Sequence, residues 1–312
     1  MSSLALLPTP LVAAPRLAAA LGLPSLLVKR DDLTGFAVAG NKARQLEGVL
    51  AEAREARADV LVTGGTAGSN FVQAAAAAAA FAGLRCVLVL AGEPVPLRSH
   101  PNLAAAAAWG AEVRFTGHAD RASVDRLLPE TAAEVAAEGA RPLLVPRGGA
   151  SAAGAGGYRL AVDEVLAQLG DERPVVVIAA GAGGTLAGLV AGVVATGRTL
   201  RVVGASVSRP PDEVAARVLG LSREIAAARD EPRPEPCDVH VVDARFAGHA
   251  LACAQGDAAA ALALRTAGLV LDPVYTAKAL AVLPEVAAGE RALFWHTGGL
   301  LDAVAALTAG EQ

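Results

Sequence analysis

From residue 59 onward, short β-branched runs alternate with longer stretches of helical period, and that alternation restricts the possible folds more than any other feature of the chain. The spacing predicts strands over 59–63, 85–90, 112–115, 143–145, 175–179, 201–206, 239–242 and 292–295. Alanine, leucine and charged residues fill most of the intervals at helical spacing. Strands that alternate with helices pair in parallel and are covered on both faces, so the expected class is α/β with open, mainly parallel sheets. No short internal repeat and no long linker interrupts the pattern. The proline-rich piece at 231–236 reads as an exposed loop.

A chain of 312 residues is long enough for two lobes, each with its own core. Hydrophobic residues make up 54 % of it and aromatics only 3 %, so small side chains must pack helices closely onto the sheets. The net charge of −4 comes without any block of like charge, which argues against nucleic acid or an anionic membrane as partner. Cys86, Cys237 and Cys253 are odd in number, far apart and in no metal-ligand spacing. They read as reduced thiols of a cytoplasmic protein with no metal site. The apolar N-terminus has no basic start and is broken by Pro8, Pro10 and Pro15, so it does not read as a leader peptide. The alanine run at 74–80 is too short to span a bilayer and reads as a buried helix, and the chain as soluble.

Open parallel sheets bind ligands where strands end and helices begin. Three such turns are rich in glycine. Gly181-Ala182-Gly183-Gly184-Thr185 follows an apolar strand and opens a helix, so backbone amides and the Thr185 hydroxyl can face an anion. It has neither the lysine of a nucleotide P-loop nor the downstream acid of a dinucleotide site, which favours a single phosphate. A plain tight turn fits the same residues. Thr63-Gly64-Gly65-Thr66-Ala67-Gly68-Ser69-Asn70 is either an ordinary N-cap or a second cradle, suited to a carboxylate. In Pro146-Arg147-Gly148-Gly149-Ala150-Ser151, Arg147 is either a carboxylate partner or a surface charge. A fourth turn, Leu271-Asp272-Pro273-Val274-Tyr275-Thr276, carries one of only two tyrosines. Its phenol is either a core side chain or an acid or base, the latter role needing a neighbour that lowers its pKa.

Lys42, after Gly40 and Asn41, stands at the mouth of an amphipathic helix whose apolar face is Ala43, Leu46, Val49, Leu50 and Ala53. A lysine compensates the helix dipole at the opposite end, so its place here suits an amine that forms a Schiff base. A solvated lysine on a helix face is the plainer alternative.

Gly40-Asn41-Lys42, Ser69-Asn70, Gly181–Thr185 and Pro273-Val274-Tyr275-Thr276 form one ordered set. That set resembles the D-cysteine desulfhydrase and 1-aminocyclopropane-1-carboxylate deaminase family, pyridoxal-phosphate enzymes of the two-lobed tryptophan-synthase-β-like fold (fold type II). The resemblance runs from Thr9-Pro10-Leu11 through Lys29-Arg30-Asp31-Asp32-Leu33-Thr34-Gly35 to His296-Thr297-Gly298-Gly299. It implies that Lys42 holds pyridoxal 5'-phosphate and later shuttles the α-proton, with Asn41 beside it. It further implies that Asn70 contacts the ring oxygen and that Gly181, Ala182, Gly183, Gly184 and Thr185 hold the phosphate. Ser69 would hold the substrate carboxylate and assist proton transfer, Phe71 and Gly149 would complete the substrate pocket, and Tyr275 would face the reacting carbon. Thr276 falls where the pyridine nitrogen is expected, and a threonine there is the desulfhydrase pattern while the deaminases carry glutamate.

The chain departs from the family in its substrate pocket. Leu251 stands where a second tyrosine is usual, within Phe246-Ala247-Gly248-His249-Ala250-Leu251-Ala252-Cys253. Gly68 replaces a common glutamine, and Phe71 follows Asn70. The resemblance implies a large lobe of residues 1–51 plus 151–312, a small inserted lobe of 52–150, and a homodimer. The expected reaction is β-elimination from D-cysteine or a similar small amino acid. Other substrates, including 1-aminocyclopropane-1-carboxylate or one of a specialised biosynthetic step, are the alternatives, as is a non-catalytic protein that binds the cofactor or an amino acid. His296 is expected to support the turn before Gly298, and the role of His249 is open.

Overall fold

The computed structural model describes residues 3–248 and 251–308. In chain order the strands are β1 (Leu11–Ala13), β2 (Ser25–Arg30), β3 (Val60–Gly65), β4 (Arg85–Leu90), β5 (Glu112–Phe115), β6 (Pro142–Leu144), β7 (Val175–Ala180), β8 (Val202–Ser206), β9 (His240–Asp243) and β10 (Arg291–His296). The helices are α1 (Pro15–Ala20), α2 (Lys42–Glu55), α3 (Asn70–Ala82), α4 (Pro101–Ala108), α5 (Ala122–Ala137), α6 (Ala152–Leu169), α7 (Gly184–Thr196), α8 (Pro211–Ala228), α9 (Ala254–Ala267), α10 (Thr276–Val286) and α11 (Leu300–Thr308). All eight strands expected from the sequence form, with ends displaced by two residues at most. β1 and β2 were not expected. β1 is only three residues long, and Lys29 and Arg30 at the end of β2 look like surface.

Two sheets result. β5, β4, β3 and β6 lie in that order, all parallel. The other sheet runs β1-β2-β10-β7-β8-β9, parallel except for the edge strand β1. There β10, from the end of the chain, slots between β2 and β7 and joins the N-terminal strands to the C-terminal half. Along β7, Val175, Val177 and Ala179 pack into one core, while Val176, Ile178 and Ala180 pack into another on the opposite face. Both faces are dry, which is why β7 reads as an unbroken apolar run. Each fully buried valine or isoleucine there contributes roughly 1.5–3 kcal/mol. The alanine run of α3 is buried against β3 and β4, as expected for a core helix. No described helix is long and apolar enough to cross a membrane. The boundary expected between residues 51 and 52 falls inside α2, which continues without a break to Glu55.

Helix α6 packs between α2 and α7, the two helices whose starts carry Lys42 and the Gly181–Thr185 turn. The approach is close because Gly157 has no side chain. A Cβ there would lie 2.2 Å from the Arg44 carbonyl oxygen. A buried polar knot then fixes the start of α2. The Asp31 carboxylate, fully buried, accepts hydrogen bonds from Arg44 Nε (3.0 Å) and Nη2 (2.9 Å), Thr9 Oγ1 (2.7 Å), Tyr158 OH (2.6 Å) and Trp295 Nε1 (2.8 Å). Glu164 of α6 takes Arg44 and Lys29, the latter at 2.5 Å, and Lys29 Nζ also donates to Gln168 and the Thr9 carbonyl. The Arg44 guanidinium pulls Glu164 down to about 2 against a desolvation penalty, with Lys29 assisting. Thus Lys29 and Asp31, which look like surface residues in the sequence, are interior ties between β2, α2, α6 and β10.

Candidate active site

Four helix N-termini converge on one cleft of ≈ 690 Å³, its open mouth included. Lys42 begins α2, Asn70 begins α3 after Ser69, Gly184 begins α7 after Gly183, and Thr276 begins α10 after Tyr275. The positive ends of the helix dipoles make such a meeting point attractive to anions.

The cleft wall contains Asn41, Lys42, Ser69, Asn70, Phe71, Gly181, Ala182, Gly183, Gly184, Thr185 and Tyr275. Residues far apart in sequence are thereby brought together. Ser69 is the N-cap of α3 by position, but its side chain makes no capping hydrogen bond, so its hydroxyl is not committed to the helix. Asn41 Nδ2 donates to Thr185 Oγ1 at 3.1 Å and ties the heads of α2 and α7 together. Removal from water lowers the Lys42 amine to about 8, because desolvation disfavours its charged form. It is therefore a far better nucleophile near neutrality than a surface lysine.

Two expected contributors stand behind the wall. Gly149 is buried against Phe71, whose Cε2 would lie 2.6 Å from a Cβ at that position, while Gly148 faces the cleft instead. Thr276 is buried and commits its hydroxyl to Asp272: Oγ1 donates to Oδ2 at 2.5 Å and accepts from the Asp272 amide at 2.8 Å. Asp272 also accepts from the backbone amides of Val274, Tyr275 and Thr276, so it clamps the turn that presents the tyrosine. Burial, with Asp272 nearby, pushes the Tyr275 phenol up to about 12, and Arg121 only partly opposes this. The lowered pKa that a base role needs is not what the fold provides. Tyr275 stays protonated at neutral pH and is equipped to donate.

Sequence reasoning missed Gln45, Asp272 and Thr297, all in the cleft wall. Gln45 follows Lys42 by three positions, one helical turn, and that spacing was the available signal. Arg147 is partly buried and bidentate on Asp125, at 2.6 Å for both bonds. Leu251 is exposed and is not among the residues lining the cleft. His249 lies outside the described residues. His296 is buried, and its Nδ1 accepts from the Gly298 amide at 3.3 Å, supporting the turn as expected.

A two-lobed set of parallel sheets with a lysine, an asparagine and a glycine turn at one cleft defines a fold type II pyridoxal-phosphate enzyme. The chain belongs to the family described as pyridoxal-phosphate dependent enzyme, whose model matches residues 2–298. It is 34 % identical over 299 residues to a protein of Pyrococcus horikoshii named as a candidate 1-aminocyclopropane-1-carboxylate deaminase, covering 94 % of this chain and 89 % of that one. It is 35 % identical over 305 residues to a D-cysteine desulfhydrase of Salmonella choleraesuis, covering 94 % and 92 %. A crystal structure of an ACC deaminase homologue superimposes with a TM-score of 0.90 at 33 % identity, over 96 % of this chain and 91 % of that one. A fungal L-serine ammonia-lyase from Rhizomucor miehei, 18 % identical, shares the fold with a TM-score of 0.70 over 99 % and 98 %.

The residues present suit the cofactor. Pyridoxal phosphate offers an aldehyde, a phosphate and a ring hydroxyl. Lys42 supplies an amine near neutrality, and Asn70 Oδ1 and Gln45 Oε1 are buried acceptors without a protein partner among the described residues. At Gly183, φ is +93° and a Cβ would meet Val218 at 3.2 Å, so the turn must stay bare to expose its amides. The protein is a pyridoxal-phosphate-dependent enzyme.

Proposed function

We propose that the protein catalyses β-elimination from a small β-substituted amino acid, with D-cysteine as the first candidate, releasing a 2-oxo acid, ammonia and the leaving group. The observation that carries this reading is the Lys42 amine, held at about 8 in a cleft it shares with Ser69 and Tyr275. When bound, pyridoxal phosphate supplies an electron sink for the charge left on Cα as its proton departs. Lys42, Asn41, Asn70 and the turn Gly181–Thr185 would hold it there. Thr276, its hydroxyl bonded to Asp272, would stand on the ring-nitrogen side of the site.

Lys42 then takes the Cα proton, and Ser69, at the head of α3, binds the substrate carboxylate with the help of the helix dipole. Tyr275 Oη keeps its proton until the leaving group needs one. Phe71 makes the wall apolar and helps exclude water. Deamination of 1-aminocyclopropane-1-carboxylate is less well supported, because Leu251 stands in place of the usual tyrosine, is exposed and is not among the residues lining the cleft. Relatives named D-cysteine desulfhydrase at 35 % identity support the elimination. We further propose a cytoplasmic homodimer, with a lobe of 52–150 closing on one formed by 1–51 and 151–312, the hinge lying after Glu55 rather than within α2.

The test is the visible spectrum of the purified protein, wild type against Lys42→Ala, with D-cysteine added. A Lys42-dependent band with release of sulfide and pyruvate is expected. The band with D-cysteine inert would move the search to other β-substituents, and no Lys42-dependent band after added cofactor would refute the assignment of Lys42.

A further inference from the structure

Asn102, in the first turn of α4, is fully buried and joins three parts of the molecule. Its Nδ2 donates to Asp302 Oδ1 on α11 at 2.8 Å and to the Gly68 carbonyl, immediately before Ser69, at 3.3 Å. α4 follows β4 of the four-stranded sheet and α11 follows β10 of the six-stranded one, so a single amide ties the two sheets' helices together. It does so beside the cleft, whose wall includes Ser69 and Gly299. His100 completes the group. Its Nδ1 accepts from the Asn102 backbone amide at 3.3 Å, which leaves the ring proton on Nε2, 3.7 Å from Asp302 Oδ1. A Cβ on Gly68 would lie 2.9 Å from that Nε2, so the ring fills the space a side chain at 68 would take.

Packing alone would not select this arrangement. Asn102 gives Nδ2 to both acceptors, and its Oδ1 is buried with no hydrogen-bond partner among the described residues. Turning the amide over would set that oxygen against the Gly68 carbonyl, so one bond is left unmade to keep the crossing. Asp302 is equally unusual. Its side chain is only 10 % exposed, and the groups that face it are His100 and Asn102 from α4 and Asp272 and Tyr275 from the turn into α10. None of them is a cation near neutral pH, since burial lowers the His100 imidazole below its ordinary value. Burial first, and Asp272 second, therefore hold the Asp302 carboxyl up at about 7 against the bond from Asn102.

We propose that Asp302, Asn102 and His100 latch the two sheets together and thereby position Ser69 for the substrate carboxylate, and that the latch releases when Asp302 loses its proton. The proposal rests on the role given to Ser69 in the elimination reading and adds what controls it. Asp302 touches neither substrate nor cofactor. It acts through Asn102 and the Gly68 carbonyl, and is a positioning residue. In the released form it reaches water and titrates as an ordinary carboxylate near about 4. The latched form binds the proton more tightly. Release therefore becomes more favourable as pH rises from about 4, and the gain levels off above about 7.

The experiment is hydrogen exchange of the cofactor-loaded enzyme from pH 5 to 8, corrected for the intrinsic rate at each pH. It follows the Ser69 and Asn102 amides, which are bonded here to the Thr66 carbonyl and to His100 Nδ1. Both should exchange faster than the amides of β7, which marks release as local. Their rates should rise at least about tenfold between pH 5 and 7 and by about twofold or less from 7 to 8. Asp302→Asn keeps an oxygen for Asn102 and removes the charge, so its rates should stay low and flat. Asp302→Ala removes the acceptor, and should exchange at least tenfold faster than wild type at pH 5 with no further rise. The same variant should bind alanine, whose methyl cannot leave, at least fivefold more weakly at pH 5, read from the visible band, while Asp302→Asn restores the affinity. Exchange no faster than that of β7, or a wild-type profile as flat as that of Asp302→Asn, overturns the latch. The expected exchange with alanine affinity unchanged in Asp302→Ala overturns the positioning of Ser69. Exchange needs no turnover, so absence of a Lys42-dependent band refutes the elimination reading while the exchange profile still decides the latch.

Discussion

Asp31→Asn keeps the side chain's shape and removes the charge on which the head of α2 is built. Five donors from four residues reach the carboxylate, two on Oδ1 and three on Oδ2. An asparagine amide group must replace one oxygen, and in the better orientation its NH2 faces Thr9 Oγ1 and Arg44 Nη2 in place of Oδ1. Thr9 can turn toward Glu164, 3.3 Å away, but the guanidinium cannot accept. One charge-assisted bond is lost outright, at about 1.5–3 kcal/mol, and the three bonds on Oδ2 weaken to neutral strength. Arg44 keeps Glu164, so the cost stays below that of a bare buried charge, and about 3 kcal/mol is expected. That corresponds to a fall of roughly 5–10 °C in melting temperature. Asp32→Asn is the control. Asp32 is 16 % exposed and bridges Arg30, two residues away in the chain, at 2.7 Å, a contact contributing about 1 kcal/mol. Urea unfolding of both variants, with and without cofactor, measures the difference. A loss below about 1 kcal/mol for Asp31→Asn, or one equal to that of Asp32→Asn, would refute the account of the knot.

In the cofactor-free protein, Lys42 has a pKa of about 8, so its reaction with an aldehyde should rise with pH and level off just above that value. Reductive methylation read by mass spectrometry checks this, and a rate still climbing toward the ordinary lysine value would contradict it. Tyr275→Phe should lower kcat by about 10²–10⁴ while the Lys42-dependent band and cofactor retention persist, because Asp272 holds the turn through backbone amides. Unchanged kcat removes the phenol from proton transfer. Asp302 accepts from Asn102 Nδ2 at 2.8 Å, yet burial first and Asp272 second raise its carboxyl to about 7. The folded state therefore binds this proton more tightly than the unfolded chain. Its contribution is full below about pH 4 and fades as pH rises through 7. Asp302→Asn should consequently gain on wild type by on the order of 1–3 kcal/mol between pH 5 and 8, measured as urea midpoints, and a constant difference across that range would be the wrong result.

The chemistry was more legible in the sequence than its supports. Glycine turns after apolar strands are local signals, since backbone approach and free amides need only neighbouring residues, and Gly181–Thr185 and Ser69-Asn70 do reach one cleft. Strands β3, β4, β7, β8 and β10 are the ones buried nearly throughout, and they show as apolar runs because both of their faces are dry. β2 did not show, because Lys29 is buried by virtue of Glu164, 135 residues away. Thr276 illustrates the same limit. The resemblance alone suggested its place by the cofactor ring, and only the structure shows that a side chain four residues earlier, Asp272, also engages it.

By itself the sequence determined the α/β class, the helix that begins at Lys42 and the turns able to cradle an anion, since each depends on period, capping and backbone freedom within a few residues. Tertiary structure alone decided that Lys42 loses much of its solvent and titrates near 8, that the phenol of Tyr275 stays protonated, and that four arginines line the cavity adjoining the cleft. Desolvation and Coulomb interaction depend on what surrounds a group in space, and those surroundings come from strands and helices scattered along the whole chain.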